Sequence, residues 1–212
     1  MEWTFYLNAI LPFILKDVMT TYNETATNLL NDYGIDPNHN SINLLRLSVA
    51  DSRYLKDLKL NVSSVLGNSN MTRKEALLLA LSVAINEKNV TLIEAFEDMA
   101  RKEGASEAEI GETFACTSLM NANNVFYRFR HFMDGIDYYN NQPAGLRMSI
   151  MMNPVMGKGL FELMSLVISA VNGCQRCVTS HEHSVKEQGA SEARIFDAIR
   201  LASVIKSLCV VI

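Results

Sequence analysis

A ten-residue stretch recurs in this chain with GASEA intact: RKEGASEAEI at 101–110 and KEQGASEARI at 186–195, an offset of 85 residues. Two copies of one helical unit pack their apolar faces on a common core, so this repeat constrains the fold more than any single motif. In each copy a glycine, Gly104 or Gly189, ends one helix, and a serine, Ser106 or Ser191, caps the next. Apolar residues follow at helical spacing: Ile110, Phe114 and Leu119 in the first copy, and Ile195, Ile199 and Val204 in the second. The repeat halves run over about 72–120 and 157–205. No run of alternating β-branched residues reads as a strand, so the expected fold is all-α with an internal two-fold repeat.

Smaller signals agree. Thr72 with Glu75 three residues on is a capping-box pattern, and Leu92, Phe96 and Met99 lie on one helical stripe that stops at Gly104. The turn-rich stretch NDYGIDPNHNS closes an N-terminal helical extension, residues 1–44. Its opening run, MEWTFYLNAILPFIL, starts at Glu2 without a basic flank and is interrupted by Asn8 and Pro12. A span needs about 20 apolar residues, so neither a signal peptide nor a membrane helix is expected. An amphipathic helix, packed on the body or on another subunit, is expected instead. With no export signal the thiols belong in a reducing cytoplasm, where close cysteine pairs are catalytic or metal-binding more often than structural. A net charge of −4 and a pI near 5.6 argue against nucleic-acid binding, despite the short aromatic–basic run FYRFRHF.

The chemistry concentrates in NGCQRCVTSHEHSVKEQG, residues 172–189. Asn172-Gly173 breaks one helix, and another can begin at Cys174 and run to about Gln188. On that helix Cys174, Cys177 and His181 share a face, at i,i+3 and i,i+4 spacing. The helix N-terminus favours a thiolate at Cys174, whereas the imidazole one turn on favours one at Cys177. Thiolates attack peroxides and disulfides, and a cysteine pair this close can form a disulfide after one member is oxidised to sulfenic acid. At the 85-residue offset these three residues face Asn89, Leu92 and Phe96, so one half carries the site and the other is scaffold.

Two further readings are open on residues alone. Zinc held by Cys174, Cys177, His181 and His183 has suitable donors, but the two histidines point about 200° apart on a helix. Glu162, twelve residues before Cys174, is offset axially from His181 by roughly 6 Å in a helical hairpin, a gap that one water could bridge. Spacing alone does not distinguish that relay from an ordinary solvated glutamate.

The pattern of Glu162, eleven residues, Cys-x-x-Cys, three residues and His181 resembles the AhpD alkylhydroperoxidases, of the carboxymuconolactone decarboxylase-like superfamily. KDLKLNVSSVL (56–66), NNVFYRFRHFMDG (123–135) and GLRMSIMMNP (145–154) also resemble AhpD segments, so the likeness covers an AhpD-like catalytic domain at 45–212. The resemblance implies a cytoplasmic homotrimer without bound metal or prosthetic group. Such a protein reduces alkyl hydroperoxides and regenerates the peroxiredoxin AhpC, drawing electrons from dihydrolipoamide on a lipoyl protein. By motif position it implies that Cys177 is the peroxidatic cysteine, forming the sulfenic acid and the mixed disulfide with the partner. Cys174 is then the proton donor that resolves it to a Cys174–Cys177 disulfide, and His181 with Glu162 forms the proton relay. Arg176 departs from the histidine often found before the second cysteine; it can stabilise a thiolate but cannot shuttle a proton at neutral pH.

The alternatives are a peroxiredoxin-disulfide reductase with little direct peroxidase activity, and a non-enzymatic helical interaction module braced by zinc. The superfamily's decarboxylase chemistry needs no redox pair. Cys116 and Cys209 read as buried hydrophobes.

Overall fold

Short polar side chains set where most of the helices begin, because each covers an amide that the first turn leaves free. The computed structural model describes residues 22–212, which form ten α-helices and one 3-10 turn, with no strand among them. The all-α expectation holds. The opening segment expected to form an amphipathic helix falls within residues 1–21 and lies outside the described residues. No helix among the described residues is long and apolar enough to cross a membrane.

The described residues divide into two compact units, one up to residue 56 and the other over residues 57–212. In the first, α1 (Glu24–Asp32) is capped by Asn23, whose Oδ1 accepts from the Ala26 amide at 2.9 Å. The Asn23 amide also donates to Ser48 Oγ at 2.6 Å, which ties the start of α1 to the end of α2 (Ile42–Val49). Ala26, Leu29 and Leu30 form the buried stripe of α1.

α3 (Arg53–Leu66) leads into the second unit and buries Leu58, Val62, Val65 and Leu66. Beyond it the repeat is written helix for helix. The helices α4 (Arg73–Asn86), α5 (Val90–Lys102) and α6 (Glu107–Phe132) form the first set. After α7 (Asp137–Asn141) and the 3-10 turn Ser149–Met152 come α8 (Lys158–Val171), α9 (Gln175–Glu187) and α10 (Glu192–Val211). Every start in the second set lies 85 residues after its counterpart: Arg73 and Lys158, Val90 and Gln175, Glu107 and Glu192.

The central helices are α4 and α8. Nine consecutive residues of α4, Ala76 to Ala84, are buried, and α8 buries Leu160, Phe161 and Leu163 to Ser169. A helix apolar on all sides must lie inside, and these two touch each other while both long helices, α6 and α10, pack on each of them. α5 lies on α4, and α9 lies on α8.

The stripes expected on α6 and α10 need correction. Ile110 is buried, but Phe114 is exposed, and Leu119, Ile195, Ile199 and Val204 are only half-buried. The inward faces carry Thr113, Cys116, Thr117 and Met120 on α6, and Ala198, Leu201, Ala202 and Ile205 on α10. Thr113, Cys116, Thr117, Ala198 and Ala202 are small enough to let the long helices approach the central pair, with Met120, Leu201 and Ile205 filling the space between.

The expected capping box of Thr72 with Glu75 forms, and the capping serine Ser106 forms a second one with Glu109. Glu75 also joins the halves, since its Oε1 accepts from Arg194 Nη2 on α10 at 2.7 Å. Burial alone would push the Glu75 carboxyl up, but its bonds to Arg194 and to the Thr72 amide outweigh this and hold it below the usual carboxylate range. A group held lower in the folded state stabilises the fold above its unfolded value, and that contribution vanishes as pH falls through the folded one. Glu75→Gln should therefore cost about 1 kcal/mol at pH 7 and clearly less near pH 3, as read by urea denaturation at both pH values.

Candidate active site

The turn between α8 and α9 is fixed by polar side chains from the other half. Gly173 takes a left-handed φ of 68°, which lets the Cys174 amide return to Ser169 O at 3.0 Å. Asn172 donates to Asn124 Oδ1 at 3.0 Å and accepts from Asn86 Nδ2 at 3.1 Å, while its carbonyl accepts from Arg128 Nη1 at 2.7 Å. Asn124 in turn donates to Ser169 Oγ at 2.9 Å. The turn that presents the cysteines is thus held by α4 and α6, neither of which carries a cysteine of the pair.

Cys174, the expected first residue of the helix, stands instead at the N-cap of α9, one position before the helix begins. Its counterpart Asn89 caps α5 by accepting from the Leu92 amide at 3.0 Å. Cys174 makes no such cap bond; its sulfur is bonded to that of Cys177, and the two Cα atoms are 5.3 Å apart. Cys174 is fully buried and Cys177 is 6% exposed.

One turn further along α9, His181 Nδ1 lies 2.7 Å from Glu162 Oε2 on α8. The contact is direct: the two side chains reach across the packed α8–α9 hairpin and cover the axial offset, so the bridging water expected from spacing is not needed. A pocket of about 350 Å³ opens beside this pair. Arg176, Cys177, Ser180 and His181 form its α9 side, and Asn123 and Tyr127 of α6, with Met148 and Met151, form the rest. Glu162 is not part of the wall and stands behind His181.

The structure therefore brings Cys174, Cys177, His181 and Glu162 together and leaves His183 out. His183 is 75% exposed and pairs with Glu187 at 3.2 Å. With the cysteines joined to each other and this histidine turned away, the four-ligand zinc arrangement does not assemble. Among the described residues, no group of three or more His, Cys, Asp or Glu is placed to hold a metal ion.

The α6 and methionine walls were not assigned from sequence. A signal existed in the paired asparagines Asn123 and Asn124, weak helix formers placed mid-helix with no cap to serve. The methionine wall is held by Glu112, which is buried on α6 and accepts from the Val155 and Met156 amides, both at 2.7 Å.

The two remaining thiols differ from the pair. Burial pushes Cys116 up to about 12, against the opposing effect of its hydrogen bond with Ser165. Burial and nearby Glu87 push Cys209 up to about 12 as well. Iodoacetamide at pH 8 should therefore label Cys177, which lines the pocket, after reduction and leave Cys116 and Cys209 unlabelled in the folded protein, as peptide mass mapping would read.

Two like helical halves around one core, with paired cysteines at a helix start in one of them, define the class. The carboxymuconolactone decarboxylase family profile matches residues 140–209, which include that helix. Across most of the chain the similarity is to proteins named alkyl hydroperoxide reductase AhpD. The one from Rhodopseudomonas palustris strain BisA53 is 37% identical over 170 residues, covering 80% of this chain and 92% of the relative. That from Frankia alni is 38% identical, covering 75% and 85%, and that from Anaeromyxobacter dehalogenans is 39% identical, covering 73% and 82%. The chain belongs to the AhpD family.

Proposed function

We propose that this chain is an alkyl hydroperoxide reductase that also returns oxidised AhpC, a peroxiredoxin, to its dithiol form. The observation that supports this best is the His181–Glu162 pair at 2.7 Å, with His181 and Cys177 lining one pocket. The names of its relatives favour a peroxide substrate.

In the reduced protein His181 takes the Cys177 proton, and the Glu162 carboxylate stabilises the resulting imidazolium. The Cys177 thiolate attacks the terminal oxygen of the hydroperoxide. The S–O bond forms as the O–O bond breaks, and the departing alkoxide leaves as the alcohol after taking a proton from His181. Cys174 then attacks the sulfenic sulfur, water departs, and the Cys174–Cys177 disulfide closes. A dihydrolipoyl group on a lipoyl protein reduces that disulfide by exchange and becomes the cyclic disulfide itself. The working form is a cytoplasmic homotrimer with no bound prosthetic group.

A coupled assay tests this reading. Dihydrolipoamide should be consumed with tert-butyl hydroperoxide alone and faster still with oxidised AhpC. Consumption only with AhpC would leave a disulfide reductase. No consumption in either case, with zinc at one atom per chain, would overturn the redox reading.

A further inference from the structure

The first half shows what this fold does with these positions when they carry no chemistry. At the 85-residue offset Glu162, Cys177 and His181 correspond to Leu77, Leu92 and Phe96, all fully buried. Three apolar core positions have become polar together on the second half's α8–α9 hairpin. The same comparison singles out a fourth position. Asn123 on α6, which lines the pocket, corresponds to Leu208 on α10, and Leu208 is fully buried. The scaffold accepts an apolar residue there, so packing does not call for an amide.

Asn123 is 4% exposed, and its two polar atoms differ. Nδ2 lies 3.2 Å from the sulfur of Met148. A thioether only accepts, so this contact fixes the amide with its nitrogen toward Met148 and its oxygen away. Oδ1 has no hydrogen-bond partner and is the one such buried side-chain atom among the described residues. A buried carbonyl without a donor is costly, and natural proteins keep few of them. Asn123 is part of the wall of the pocket shared with Cys177 and His181, so an O–H group bound there is the donor that this oxygen lacks.

Resting on the peroxidase reading, we propose that Asn123 orients the hydroperoxide: its Oδ1 accepts the peroxide O–H and turns the terminal oxygen toward Cys177. The terminal oxygen is the one that carries hydrogen, so this bond selects the atom to be attacked. During transfer that hydrogen stays on its oxygen and becomes the sulfenic acid hydrogen on Cys177. The alkoxide lost from the other oxygen takes its proton from His181. Two electrons pass from sulfur to the peroxide bond, and Asn123 exchanges no proton.

The test separates a substrate with an O–H from one without. In Asn123→Leu, which installs the residue of the other half, stopped-flow oxidation of the reduced protein by tert-butyl hydroperoxide should slow about 10- to 100-fold. Its reaction with 5,5′-dithiobis(2-nitrobenzoate), a disulfide with no hydroxyl to orient, should stay within about threefold of wild type, and the thermal midpoint should not fall. An unchanged peroxide rate in the variant would overturn the proposal, as would an equal loss in both reactions, which marks a structural role. If wild type itself reacts with the peroxide no faster than free cysteine does, the peroxidase reading has failed, and this proposal falls with it.

Discussion

Cys177→Ser should abolish peroxide-dependent turnover, by about 10³-fold or more, whereas Cys174→Ser should consume one equivalent of peroxide per chain and stop. Two local effects disagree about which thiol attacks: the start of α9 favours a thiolate at Cys174, and the histidine one turn on favours Cys177. Access separates them. Cys177 forms part of the pocket wall, while Cys174 is fully buried and does not line the pocket. A peroxide entering the pocket meets Cys177 beside His181, and Cys174 is left to attack the sulfenic sulfur from behind. With the resolving thiol gone, the Cys177 intermediate has no internal exit. Cys174→Ser should therefore accumulate sulfenic acid, detectable with dimedone, and should trap a mixed disulfide with oxidised AhpC on a denaturing gel. Trapping in Cys177→Ser instead would exchange the two roles.

The repeat carried most of what was legible. Its glycines and serines gave the helix ends, because caps and left-handed stops are decided by residues adjacent in sequence. The pairing across α9 was legible for the same reason, since i,i+3 and i,i+4 neighbours need no tertiary information. What lay beyond reach was non-local. Asn123, Tyr127 and the two methionines meet Cys177 only because α6 crosses the α8–α9 hairpin, a contact that spacing along the chain does not encode. Phe114 misled because helical periodicity marks a stripe without saying which stripe faces the core. The direct Glu162–His181 contact was not legible because an axial offset counts backbone rise and omits the reach of two long side chains.

Glu162→Gln should lower the rate of Cys177 oxidation by about 10²-fold, equivalent to about 2.7 kcal/mol of barrier, with little change in folding stability. The amide is nearly isosteric and its oxygen can still accept from His181 Nδ1, so the ring keeps its orientation. The negative charge that stabilises the imidazolium while it holds the cysteine proton is lost. Glu162 acts through His181 and does not touch the pocket, so it is a positioning residue, and the effect should fall on the oxidation rate rather than on the peroxide concentration needed for half-saturation. The first half supplies a stricter comparison, because Leu77 and Phe96 occupy the corresponding positions and both are fully buried. Replacing a buried ion pair by packed apolar residues is commonly neutral or stabilising by about 1–4 kcal/mol, whereas breaking one partner alone is not. The double variant Glu162→Leu/His181→Phe should thus lose its peroxide reaction and unfold at equal or higher urea concentration than wild type. His181→Phe alone leaves the Glu162 carboxylate half-buried without its partner and should unfold earlier. A double variant that is both inactive and markedly less stable would mean that the pair holds α8 to α9, and that its place beside Cys177 reflects packing rather than proton transfer.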